Sequence, residues 1–194
     1  VESFYKQMVQ NREVREARPF HDFLAAKATQ RHMDYRLILS WWADAFGKDA
    51  ISITPFEADA GEPVRLFLAA AGLSPRLAWL PYSKGAVNVS RSAETTEILR
   101  LANARGLRPT KQQAAEIDTT MRDGQSAFLT AAERDEINSA AREDDAEVLR
   151  LYGPTGRAHL FADKAVTSRT ERWEGFAVDD PRLALLEPLL SDSP

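Results

Sequence analysis

The chain has 194 residues, 44% of them hydrophobic and 28% charged, with a formal net charge of −4. That length and composition fit one soluble globular domain with a core of its own, and the net charge argues against general nucleic-acid binding. Cysteine is absent and the three histidines, His21, His32 and His159, are scattered, which excludes disulfides, thiol chemistry and any zinc-ligand spacing.

The elements follow in chain order. Val1 to about Gln10 reads as a helix with Val1, Phe4 and Met8 on one face. It has no cap and no initial methionine, so the sequence is expected to begin inside an element. Pro19 breaks the chain and Phe20 to Lys27 reads as a short helix. From Met33 to Phe46, Tyr35, Leu39, Trp42 and Phe46 form a helical stripe, with Leu37 and Trp41 on a second apolar face. Trp41 and Trp42 are therefore expected in the core, a sugar-stacking platform being the other reading. Gly47 suits the helix end.

Ala50 to Thr54 alternates and is β-branched, which predicts a short strand closed by Pro55. Pro63 opens a helix over Val64 to Ala71, and Gly72 ends it. Ser74 to Val89 is read as a loop. Ser92, or alternatively Ser90, caps a helix from Ala93 to about Ala104. Thr110 to Arg122 is a weaker helix.

Thr130 and Glu133 form a capping box that opens the longest helix, with Ile137, Ala141, Val148 and Leu151 on one face. Asp144 lies in that seam, either as a carboxylate whose pKa burial would raise or as a rim group paired with an arginine. Leu183 to Leu190 is expected as a last short helix interrupted by Pro188. No apolar run reaches the roughly 18 residues of a membrane span. The polar start is unlike a signal peptide, so cytoplasm is the expected compartment.

Charge is unevenly spread. From Arg76 to Lys111 seven basic residues stand against Glu94 and Glu97, and from Glu133 to Glu147 seven acidic ones stand against Arg134 and Arg142. Solvated helix faces account for both; the sharper reading of the basic stretch is a local positive field suited to phosphate or sulfate. Within it, Lys84, Asn88 and Arg91 are candidate cofactor-binding residues, placed where a ligand phosphate would approach, against the plainer reading of a solvated loop and a capped helix start. No serine–histidine–aspartate arrangement is suggested. Neither a GxxxxGKS/T nor a GxGxxG phosphate loop occurs, and GPTGR at Gly153 to Arg157 follows a helix, so it is read as a helix-ending turn.

Several segments resemble bacterial sulfotransferases of the polysaccharide-modifying type. They are VESFYKQ at Val1 to Gln7, Asp34 to Glu57 with its WWADAFGKDAISITPFE tract, Val64 to Leu73, Asn88 to Asn103, which opens with NVSRS, and Thr130 to Phe161. Their shared order and spacing carry the resemblance. It implies an α/β, P-loop-like three-layer fold, of which this chain is the mainly helical C-terminal part, in a single domain with one short parallel strand near Ala50 to Thr54.

The implied activity is transfer of a sulfuryl group from 3′-phosphoadenosine 5′-phosphosulfate to a carbohydrate hydroxyl, without a metal. Ser3 matches the serine that holds the nucleotide's 3′-phosphate. The partner arginine, the phosphate turn and the catalytic base lie before Val1 in the family, so the chain is expected to lack them. The alternatives are a noncatalytic helical interaction domain derived from that scaffold, and a glycosyltransferase-like polysaccharide-modifying enzyme.

Overall fold

The structure is a computed structural model describing residues 1–53, 63–73, 91–121, 127–153 and 172–187. Among the described residues the architecture is helical. Four helices precede residue 50: α1 (Glu2–Gln10), α2 (Phe20–Ala25), α3 (Lys27–Met33) and α4 (Tyr35–Phe46). Four follow: α5 (Pro63–Ala70), α6 (Ala93–Ala104), α7 (Lys111–Thr120) and α8 (Ala131–Tyr152). The chain divides into two compact units. The first comprises Val1–Thr29, Asn88–Asp135 and Val166–Pro194, and the second Gln30–Val87 and Glu136–Ala165.

The first unit is organised around aromatic rings. Tyr5 is fully buried, with ring centroids 5.2 Å from Phe20, 5.1 Å from Phe23 and 5.2 Å from Phe128. Burying one such ring is worth about 2–3 kcal/mol. The Tyr5 hydroxyl keeps a partner by donating to the Arg18 carbonyl at 2.8 Å, and burial pushes its pKa up. The buried face of α1 is thus Tyr5 and Val9, one position round from the predicted Phe4 and Met8, which are half-buried.

Helix α6 supplies the other half of this core. The Ser92 hydroxyl caps it by accepting from the Thr95 N–H at 3.0 Å, as the sequence suggests, and Ile98, Leu99 and Ala102 point inward. Asn103 ties α6 to the chain around α1, its Nδ2 donating to the carbonyls of Val9 and Glu16 at 2.9 and 3.0 Å. The box at the start of α8 is also formed: the Thr130 N–H donates to Glu133 Oε2 at 2.8 Å, and the Glu133 N–H returns to Thr130 Oγ1 at 3.2 Å. The donations to Glu133 Oε2 from the Thr130 N–H and, at 2.9 Å, the Thr130 hydroxyl hold the Glu133 carboxyl below its usual range.

In the second unit, Asp34 caps α4 by accepting from the Leu37 N–H at 2.8 Å. Pro63 opens α5 and Gly72 closes it at φ +65°, where the Leu73 N–H reaches back to the Leu68 carbonyl at 2.8 Å. Asp144 is half-exposed and bonded to Arg36 at 3.1 Å, so of its two readings the rim pair with an arginine is the one found.

Four expectations are corrected. No strand or sheet occurs among the described residues; the one β-type contact is an isolated parallel bridge between Ala127 and Arg172. The α/β three-layer reading is therefore overturned, and with it the strand at Ala50 to Thr54. Lys48–Ala50 is a 3-10 turn, Ile51 is extended, and no ladder follows: the Ile51 N–H donates to the Lys48 carbonyl at 3.1 Å and the Ile53 N–H to the Tyr152 carbonyl at 3.4 Å. Alternating β-branched residues favour extension, but a strand also needs a neighbour to pair with. Thr54 lies outside the described residues.

Trp41 and Trp42 are 55% and 56% exposed rather than in a core. The segment read as one helix from Phe20 to Lys27 is two helices, parted where Ala26 is extended. The last apolar element begins earlier, as a 3-10 helix over Pro181–Leu186 capped by Asp180; Pro188 to Leu190 lie outside the described residues.

Candidate functional site

A cleft of about 640 Å³ opens in the first unit where the C-terminal end of α1 meets the start of α7. Among the described residues, five cationic side chains line it, Arg12, Arg15, Arg91, Arg108 and Lys111, and no carboxylate does.

Local chemistry builds each wall. After α1, the Asn11 carboxamide oxygen accepts from the N–H groups of Glu13 and Val14 at 2.8 and 3.0 Å, turning the chain tightly. Arg15 then adopts φ +49°, a left-handed conformation that costs a non-glycine residue about 1 kcal/mol. In that conformation its Nη2 donates to the Leu107 carbonyl at 2.6 Å. That carbonyl is presented by the end of α6. There Gly106, at φ +76°, lets the buried Leu107 fold back with its N–H on the Ala102 carbonyl at 2.9 Å.

The opposite wall is the first turn of α7. The Thr110 N–H donates to Gln113 Oε1 at 2.8 Å and the Gln113 N–H to Thr110 Oγ1 at 3.2 Å, a second capping box. Arg91 spans both walls. Its Nε donates to Gln10 Oε1 at 3.2 Å and its Nη1 to the Ala114 carbonyl at 2.7 Å, while Asp118 approaches it at 3.8 Å. Arg15 and Arg91 are thus fixed in the wall. Arg12, Arg108 and Lys111 are exposed and hold no hydrogen bond or ion pair among the described residues.

No known family model, curated protein or solved structure matches this chain. The assignment of a site therefore rests on geometry and charge. A cleft with five cations and no carboxylate among its described lining residues concentrates positive potential and favours phosphate, sulfate or carboxylate groups.

Of the residues singled out from the sequence, Arg91 lies in this cleft. Ser3 does not: it is exposed in the first turn of α1, seven positions before Gln10 and so about 10 Å along the helix. Lys84 and Asn88 lie outside the described residues, as does GPTGR beyond Gly153. Arg108 and Lys111 belong to the basic stretch noted above. Arg12 and Arg15 were missed, although the run of Arg12, Arg15 and Arg18 was a usable signal. Among the described residues, no group of three or more histidine and acidic side chains is placed to hold a metal ion, and no helix is long and apolar enough to cross a membrane.

Proposed function

We propose that this chain serves transfer of a sulfuryl group from 3′-phosphoadenosine 5′-phosphosulfate to a carbohydrate hydroxyl, with the basic cleft recognising an anionic group of the reacting pair. The supporting observation is the convergence of five cations on one cleft, one of them Arg91 from the NVSRS segment. Sulfuryl transfer moves negative charge between oxygens, and fixed donors already oriented toward such charge stabilise it without reorganising. Arg15 and Arg91 have that character because the backbone carbonyls hold them in place. The resemblance assigns Ser3 to the 3′-phosphate, and no residue of this chain is assigned to the chemical step.

A second reading, a noncatalytic helical interaction domain, is favoured by a different feature. Tyr35, Trp41, Trp42 and Phe46 lie on α4 between 48% and 66% exposed, as on a surface that meets a partner.

Adenosine 3′,5′-bisphosphate separates the two. At a hundredfold excess over its dissociation constant a ligand stabilises the folded state by about 2.7 kcal/mol, so the transfer reading requires a clear rise in melting temperature. It also requires Ser3→Ala to weaken the binding. No thermal shift at millimolar nucleotide would retire the transfer reading in favour of the interaction domain.

A further inference from the structure

We propose that the basic cleft takes an acidic saccharide, one carrying carboxylate or sulfate groups along its chain, and thus serves the acceptor rather than the nucleotide. This rests on the transfer reading above and specifies the substrate class within it.

Three observations support it. First, the free cations stand on separate elements, Arg12 in the turn after α1, and Arg108 and Lys111 around the start of α7. Charge offered on both sides of a cleft suits a ligand with repeated anionic groups.

Second, the polar groups between the cations are each half used. Gln10 spends its oxygen on Arg91 and Asn11 its oxygen on Glu13 and Val14, which leaves Nε2 and Nδ2 as donors. Asn103 spends its Nδ2 on the Val9 and Glu16 carbonyls, which leaves its Oδ1 as an acceptor. A sugar hydroxyl both donates and accepts, so this mixture suits hydroxyls set between charged substituents.

Third, none of the described lining residues is aromatic; the apolar ones among them are Val9, Leu99, Pro109 and Ala114. A purine or a row of nucleobases finds no ring to stack on there. Ser3, about 10 Å away along α1, lies outside the cleft, which leaves the donor a separate place.

The test titrates a size-defined heparin tetrasaccharide into the 194-residue protein by calorimetry, with a neutral dextran tetrasaccharide and oligothymidylate as controls. Saturable, salt-sensitive heparin binding is expected, with dextran silent and oligothymidylate weaker. The triple variant R12A/R108A/K111A should weaken heparin binding about tenfold, from three exposed charge contacts at roughly twofold each. Its melting temperature should not change, because those side chains hold no partners among the described residues; the single variant Arg108→Glu provides the same comparison with one substitution.

Unchanged heparin affinity in both variants overturns the proposal. So does dextran binding as tightly as heparin, or oligothymidylate binding more tightly. Competition between adenosine 3′,5′-bisphosphate and heparin, with both weakened by the triple variant, makes the cleft the donor's site and also overturns it. Heparin binding without any nucleotide binding leaves the saccharide cleft standing while the donor reading falls. Nucleotide binding that depends on Ser3 and ignores heparin, alongside cleft-dependent heparin binding, supports both.

Discussion

Tyr5, Phe20, Phe23 and Phe128 in the first unit, and Tyr35, Trp41, Trp42 and Phe46 in the second, are two sets of four aromatic residues with opposite fates. The first four are at most 4% exposed, whereas the second four are between 48% and 66% exposed. The difference lies in what meets each helix. Around Tyr5, three rings from two other segments arrive within about 5 Å, edge-on or tilted, and the hydroxyl finds the Arg18 carbonyl. On α4, Trp42 has Phe46 from its own helix stacked at 5.5 Å. A helical stripe reports which residues share a face; burial depends on a surface supplied from elsewhere in the chain.

The comparison breaks most sharply at Tyr5. Tyr5→Ala should cost about 3–5 kcal/mol in urea denaturation, since it removes a fully buried ring and leaves a cavity among three others. A loss below about 1 kcal/mol would mean that these rings do not form the unit's core.

Glu16 gives the next effect, because it shapes the turn that presents the Arg18 carbonyl to Tyr5. Its Oε1 accepts from the backbone N–H groups of Ala17 and Arg18 at 3.0 and 2.9 Å and from Arg18 Nε at 2.9 Å. The Arg18 side chain, more than any other cause, holds this carboxyl below the usual glutamate range. The folded state then binds fewer protons than the unfolded one, so stability rises with pH across that window. Glu16→Gln should cost about 2 kcal/mol at pH 7. The gap between variant and parent should shrink as pH falls below about 4, through the lowered value. A gap that stays constant down to pH 2 would mean the ionised carboxylate contributes nothing.

Trp42→Ala should move stability by no more than about 0.5 kcal/mol, as for other exposed positions. A loss of 2 kcal/mol or more would show that the α4 face is covered in solution, and the contrast between the two regions would collapse.

Local chemistry made much of the helical plan legible. Ser92, the Thr130–Glu133 box, and Pro63 with Gly72 act through bonds within a few residues, so the sequence alone places them. The reading failed where an outcome depended on distant chain. Ile51 is extended, as its branching favours, but pairing needs a neighbour that branching does not provide. Phe4 and Met8 form as regular a pair as Tyr5 and Val9, and the rings of Phe20 and Phe128 decide which pair is covered. Arg91 was legible because it stands in a basic stretch next to a cap. Arg12 and Arg15 reach the same cleft from about eighty residues away, through a left-handed turn that no propensity announces.

The Glu2 carboxylate accepts the Leu129 N–H at 2.7 Å across 127 residues of chain. Helix α1 is synthesised more than a hundred residues before Phe128, which covers Tyr5. At about 5–20 residues per second, the Tyr5–Val9 face waits roughly 6–25 s on the ribosome for that partner. During that interval the first unit cannot close, and its uncovered apolar face is open to aggregation.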